Sequence, residues 1–372
     1  MLPPRRNADA RSAALERFRI LFVGQLTPYL TTAARRDALV ELGFPVESID
    51  QMQFVQSPSA LVSALTYRTL LTPGVFALNR EIVARAARFR PDVLWLEKGT
   101  YVFPRTLRRL RRDSTMLFVY HNTDDWQLKG WLHDLHWRFL RRTLDQYGLY
   151  ITSNLWNVDE FRQAGFARVV HMELAANPAL RDPGAIPESE RRVLGGPVGF
   201  IGHWEPVTER RLLHLVRHDI PVKIYGGGWD DAEGASVLSR AVQHRLVLGD
   251  EYARAIVSFD VNIGIVSKWN RNHTASRTFQ IPALGGFLLH ERNELVTRYF
   301  QEGVEAEFFD SDDELLEKCR HYLARPDERR RIADAGRRRC VESGYFEPDR
   351  VHEILPALEE AVQAQRAGGV SA

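Results

Sequence analysis

The sequence predicts an α/β protein of two doubly wound, parallel-sheet domains facing a cleft, with a final helix that crosses back to the first domain. Three observations lead there. Short apolar runs alternate with helical segments along most of the chain, the pattern of strand–helix–strand units whose parallel strands are buried on both faces. The alternation lapses at 178–196, where Asn177-Pro178, Asp182-Pro183-Gly184 and Gly195-Gly196-Pro197 have linker composition, and then restarts. The 372 residues also exceed what one hydrophobic core usually serves. The expected division is a flexible tail over 1–18, a first domain over 19–180, a second over 195–345, and a crossover helix with its tail over 346–372. The hinge is expected at 178–197.

In the first domain the apolar run 19–24 reads as a buried opening strand that ends in glycine, and further strands are expected at 46–49, 92–96, 116–120 and 149–152. In the second they are expected at 198–202, 222–226, 245–248, 259–264 and 286–289. After Phe309 the pattern becomes helical, over 312–324, 326–343 and 348–366, with Pro326 suited to a first helical turn and Gly344 to a stop.

Composition narrows the function classes. Apolar residues make up 44% and charged residues 26%, as in an ordinary globular protein, and no run is long and apolar enough for a membrane span or the core of a signal peptide. Cys319 and Cys340 lie in helical sequence and are expected to be idle thiols, which suits a reducing cytoplasm. Net charge is +2, but residues 1–180 hold 24 Lys and Arg against 17 Asp and Glu, so the basic surplus lies in the first half. The segment Arg105-Thr106-Leu107-Arg108-Arg109-Leu110-Arg111-Arg112 suits peripheral contact with the inner membrane face or a polyanionic acceptor, or is a solvated helix face. Near-neutral charge with an acidic second half disfavours nucleic acid as a partner.

Ligands of open parallel sheets bind beyond the carboxyl ends of the strands, so the following loops hold the candidate residues. Gly24-Gln25 lacks the G-x-G-x-x-G spacing of a dinucleotide fingerprint, which argues against a nicotinamide dehydrogenase and fits a loop that an acceptor or phosphate can approach. Glu97, ahead of Lys98-Gly99, is expected to border the cleft. His121 ends the fourth strand and is read as a cleft residue or a structural histidine, while Asp124 and Asp125 orient acceptor hydroxyls, act as base, or cap the next helix. In the second domain Gly202 and Gly226 permit close backbone approach, Trp229 is placed to flank a base, and Arg210 and Arg211 reach phosphates or form a solvated helix turn. A helix starting near Thr274 presents free N–H groups and the positive end of its dipole to a diphosphate, with Arg277 adding charge; an ordinary N-cap is the alternative.

The stretch Arg277-Thr278-Phe279-Gln280-Ile281-Pro282-Ala283-Leu284-Gly285-Gly286-Phe287-Leu288-Leu289, with Glu291 and Phe300-Gln301-Glu302-Gly303, resembles the CgeB-like branch of GT-B glycosyltransferases. Residues 198–202 and Ile224-Tyr225-Gly226-Gly227-Gly228-Trp229 are similar to it too. The likeness is strongest over 195–345 and lies mainly in strand order over 19–175. It implies two Rossmann-like domains and retaining transfer of a sugar from a nucleotide-sugar held by the second domain, including Tyr225, to an acceptor on the first. In the related glycosyltransferase family 4, two glutamates eight positions apart serve the donor sugar and the ribose hydroxyls. Their places fall on Asn272 and Gln280, an amide for each carboxylate, with His273 alongside. The same offset places the backbone N–H groups of Ser276 and Arg277 on the diphosphate, and His121 matches the position of that family's donor-sugar histidine. No cofactor or metal is expected, because the helix N-terminus and Arg277 meet the charge of the departing diphosphate. Two other readings share the architecture: a nucleotide-sugar epimerase, and a sugar-nucleotide-binding protein whose amides at Asn272 and Gln280 have cost it turnover.

Overall fold

The computed structural model describes residues 17–126, 131–166 and 168–368. Six parallel strands form the first sheet: β1 (Ile20–Gly24), β2 (Val46–Asp50), β3 (Val93–Glu97), β4 (Leu117–Asn122), β5 (Leu149–Thr152) and β6 (Val169–His171), in the order β2-β1-β3-β4-β5-β6. Five form the second: β7 (Gly196–Ile201), β8 (Val222–Tyr225), β9 (Phe259–Gly264), β10 (Leu288–Glu291) and β11 (Glu307–Phe309), in the order β11-β10-β9-β7-β8. Counted from its own first strand, each sheet runs 2-1-3-4-5, and the first adds a sixth strand. This doubly wound order reverses direction between the first and third strands, where such folds bind ligands. β1, β3 and β4 are buried along their whole length, the two-sided burial that their unbroken apolar sequence requires.

The chain divides into two compact units, 17–173 with 347–368, and Leu174–Phe346. The last helix, Glu347–Gly368, returns to the first unit. It packs on the helix Thr31–Glu41, and its Val351, Ile354, Leu355, Leu358 and Val362 join Phe22, Trp95, Val119 and Ile151 in one core. The expected tail lies outside the described residues as far as 16, and so do residues 369–372.

Three expectations are corrected. The change of unit falls after Glu173, ahead of 178–197, because that segment carries a short turn at Pro178–Leu180 and a helix at Glu188–Leu194 that both pack on the helix Gly249–Ser258 of the second unit. Residues 245–248 form no strand. Just ahead of it one bridge, Ile224 to Val242, meets the free edge of β8, the Gly226 N–H donates to the Arg245 carbonyl at 3.2 Å, and Leu246 and Leu248 are exposed. β6 and β11, three residues each, were too short to stand out as apolar runs. Cys319 and Cys340 are both buried thiols, and Cys340 Sγ faces the Phe279 carbonyl at 3.8 Å.

Candidate functional site

Beyond the carboxyl ends of β7 and β8, beside the switch point between β7 and β9, two loops meet at glycines. A Cβ on Gly226, whose φ is +141°, would lie 2.0 Å from the Gly202 carbonyl oxygen, and one on Gly202 would lie 2.1 Å from Arg277 Nη1. The backbone contact and the positive φ require glycine at 226, while at Gly202 the crowding comes from the Arg277 and Phe200 side chains. The Arg277 guanidinium lies over the Phe200 ring, 5.1 Å from its centroid, and donates from Nη1 to the Ile201 carbonyl at 2.6 Å. Burial lowers its pKa, with Tyr252 and Glu205 opposing.

Arg277 sits in the first turn of the helix Ser276–Ala283. A directed hydrogen-bond chain fixes this helix start. The Ala275 N–H donates to Thr278 Oγ1 (3.0 Å), and Thr278 Oγ1 meets His290 Nε2 (2.9 Å), whose Nδ1 faces the Glu291 carbonyl (2.6 Å). A carbonyl can only accept, so Nδ1 carries the proton and Nε2 accepts from Thr278. Burial lowers the His290 pKa to about 4, which keeps the ring neutral as this chain demands. The first-turn amides of Ser276 and Arg277 have no acceptor within the helix and carry its positive dipole end.

Around this start stands a charged cluster. Glu291 Oε1 accepts from Arg211 Nη2 (2.8 Å) and Lys268 Nζ (2.7 Å), and the Lys268 N–H donates to Glu205 (2.9 Å). Burial would raise the Glu291 pKa, but Arg211 and Lys268 outweigh it and hold it down. Arg211 is buried, whereas Lys268 stays half exposed, a cation within reach of a ligand. Lys268 was not singled out from the sequence, although a signal existed. The chain has only five lysines, and two, Lys98 and Lys268, follow the third strand of their sheets.

Several expected donor contacts are engaged elsewhere. The Tyr225 hydroxyl donates to the Leu194 carbonyl at 2.9 Å, tying β8 to the helix Glu188–Leu194. Trp229 is buried and donates its indole N–H to the Gly202 carbonyl at 3.0 Å, so it braces the glycine loop and does not flank a base. Gln280 is buried, its Oε1 accepts from the Asn177 N–H at 2.7 Å, and its Nε2 has no partner. Asn272 and His273 are half buried in the loop before the helix, where the His273 carbonyl accepts from Asn293 at 2.8 Å. Arg210 pairs with Asp312 at the surface. The sequence reading that the chain holds no Asp-x-Asp metal motif is corrected, since Asp310-Ser311-Asp312 has that spacing. Ser311 caps the next helix, and the two carboxylates pair with Arg292 and Arg210.

In the first unit the strand period of two decides what each residue faces. His121 shares a face with Trp95 and Glu97, pointing into the core under the helices Thr31–Glu41 and Glu347–Gly368. There Glu97 accepts from both Arg35 Nη1 (2.9 and 3.0 Å), Trp95 Nε1 (2.9 Å) and His121 Nδ1 (2.9 Å), while Arg35 Nη2 reaches Glu347 at 3.4 Å. Burial would raise the Glu97 pKa, yet Arg35 and His121 hold it at about 2. Burial raises that of Glu347 to about 7 and lowers that of His121. His121 is therefore a neutral ring that donates from Nδ1, and its buried Nε2 has no partner. The expectation that His121 and Glu97 border a cleft is corrected: both belong to a buried ion network. Gly24 is also structural, since a Cβ would meet Thr32 at 2.8 Å. Asp125 is buried and accepts from Asn157 Nδ2 at 2.9 Å.

The opposite face carries the opening. Tyr120 and Asn122 flank His121 in β4 and line a cavity of about 370 Å³ together with Gln25, Lys98, Tyr101 and Asp124. Lys98 Nζ contacts Asp124 Oδ2 at 2.6 Å, and Asn122 Nδ2 holds the Asp124 carbonyl at 2.7 Å. Of the first-domain candidates, the cavity gathers Gln25 and Asp124.

Two doubly wound units with this strand order and site placement define the GT-B architecture. Residues 205–355 match the sequence model of the family described as glycosyl transferase-like. No curated protein matches the chain. Among solved structures, the sucrose-phosphate synthase of Thermosynechococcus elongatus is similar with a TM-score of 0.64 at 11% identity, over 94% of this chain and 100% of that one. Anabaena HepE in complex with UDP and glucose is similar with a TM-score of 0.59 at 14% identity, over 92% and 100%. A putative UDP-N-acetylglucosamine 2-epimerase from Listeria monocytogenes is similar with a TM-score of 0.57 at 9% identity, over 94% and 97%. At these identities the likeness establishes the fold.

Proposed function

We propose that this protein is a glycosyltransferase that binds a nucleoside diphosphate sugar at the β7–β9 switch point and transfers the sugar to a hydroxyl acceptor bound in the β1–β4 cavity. The observation that carries this reading is the fixed start of the helix Ser276–Ala283, with Arg277 behind it, Lys268 beside it and the Gly202–Gly226 contact beneath it. Such an arrangement matches a diphosphate in charge and shape. As the acceptor oxygen bonds to the anomeric carbon, the bond to the diphosphate oxygen breaks and the hydroxyl proton passes to Asp124 or to the departing diphosphate. The growing charge is met by Lys268, Arg277 and the first-turn amides, with no metal assigned to the step. Asp124 is the exposed carboxylate on the cavity and takes the orienting or basic role. Retention at the anomeric carbon is part of the proposal, from the resemblance to family 4.

Calorimetry with UDP, GDP, dTDP and CMP, followed by incubation of the matching nucleotide-sugar with an acceptor panel, tests this. Tight binding of one nucleoside diphosphate and a transferred sugar are expected with chelator present, and absence of nucleotide binding overturns the proposal. The likeness to a putative epimerase motivates one further arm, in which donor alone is incubated: a new epimer would favour that reading.

A further inference from the structure

The helix Ala60–Thr69 of the first unit is built inside out. Soluble helices turn apolar residues inward and polar ones to water. Here the buried side chain is Thr66, which donates to the Val62 carbonyl (2.9 Å) and meets Thr72 Oγ1 (2.9 Å), and on the same side Ser63 donates to the Ser57 carbonyl (3.0 Å). Leucines face solvent instead: Leu61 is 79% and Leu65 51% exposed, with Val62, Tyr67 and, just beyond the helix, Leu71 exposed as well.

Leu71 continues this surface into an apolar hollow of about 280 Å³, walled by Phe76, Phe103 and Phe139 and rimmed by Arg105, Arg108 and Arg142. Arg105 lies over both Phe76 and Phe103, 5.2 and 5.0 Å from the ring centroids, so its stem covers apolar surface while its charge stays exposed. No Asp or Glu occurs between residues 51 and 80, and 51–112 carry 11 Lys and Arg against 3 Asp and Glu.

An exposed apolar helix face that runs into an arginine-rimmed apolar hollow fits a surface that is anionic outside and apolar beneath. We propose that the first unit docks on an anionic lipid bilayer through the helix Ala60–Thr69 and the Arg105–Arg108–Arg142 rim. Ten residues are too few to span a bilayer, and the next helix, Pro73–Phe89, turns away by 64° and buries Val75, Leu78 and Ile82 in the core. The contact is therefore superficial, with the helix lying in the interface. Tyr67 of the same helix also lines the β1–β4 cavity, so the docking surface reaches the cavity wall. The proposal stands independently of sugar transfer.

Sedimentation of the full chain with vesicles of phosphatidylcholine alone, or of equal parts phosphatidylcholine and phosphatidylglycerol, tests it. Binding is expected to the anionic vesicles and to weaken as salt rises. Leu61→Ser with Leu65→Ser should lower the partition coefficient by on the order of tenfold or more. Arg105→Gln with Arg108→Gln should lower it by roughly fivefold per arginine. The leucine double variant should keep the wild-type melting temperature, because Leu61 and Leu65 are exposed. No binding to anionic vesicles, or binding that the leucine variants leave intact, would overturn the proposal. A concentration-dependent dimer dispersed by Leu61→Ser would instead assign this face to a second copy of the chain.

Discussion

The two switch points share a strand order and a lysine after the third strand, but they handle charge in opposite ways. In the first unit Arg35, Glu97, His121 and Glu347 compensate one another inside the core, and the opening lies on the other face of the same strand, at Asn122, Lys98 and Asp124. In the second unit the cations Arg211, Lys268 and Arg277 surround a helix start with Glu205 and Glu291, and Lys268 remains half exposed. A buried ion network anchors the returning helix, while the second cluster keeps one lysine half exposed, open to an anion. The same topology thus buries its charges in one unit and leaves a lysine half exposed in the other.

The largest effect that would break this comparison comes from the first network. Glu97→Ala leaves the Arg35 charge buried and should lower stability by roughly 3–5 kcal/mol, read from a denaturant midpoint, with nucleoside diphosphate affinity unchanged. His121→Ala should also lower the midpoint, by about 1–3 kcal/mol, since its buried Nδ1–H satisfies Glu97. An unchanged midpoint would mean that the ring is not a core group. In the second unit Lys268→Ala and Arg277→Ala should each weaken nucleoside diphosphate binding by about 1.5–3 kcal/mol in calorimetry. Equal affinity in a folded variant would remove that residue from the site.

Titration sharpens the contrast. The raised pKa of Glu347, about 7 against a model-peptide value of 4.5, means that the fold holds a proton the unfolded chain has released, so this group's contribution declines as pH rises from 4.5 to 7. The lowered pKa of His290, about 4 against 6.5, has the opposite sign: its contribution is present above 6.5 and is lost as pH falls towards 4. Glu347→Gln should therefore gain stability relative to wild type as pH rises through that window, in paired denaturation series. The smallest stability effect belongs to Asp124→Asn. Its pairing with Lys98 is solvent-screened and should be worth less than about 1 kcal/mol, while transfer to an identified acceptor should fall clearly. Unchanged turnover would take Asp124 out of the reaction.

The sequence by itself determined the doubly wound class, the restart of the alternation and the stretch 277–289, because burial on both faces demands unbroken apolar runs and a tight strand-to-helix turn demands glycine. It predicted a helix start near Thr274, and the helix begins at Ser276 with Arg277 in its first turn, since local chemistry defines such a start. It could not decide which way a strand-end residue points. His121 and Asn122 are neighbours, and one residue of register separates the core from the cavity. It also could not foresee that Gln280 is held by the Asn177 backbone, that Trp229 braces Gly202, or that Glu347 closes a network begun by Arg35, as these partners lie far apart along the chain. Tertiary packing alone decided which polar groups were already satisfied. A charged side chain that finds a partner inside the fold is held in structure, and one left partly open, such as Lys268, remains available to a ligand.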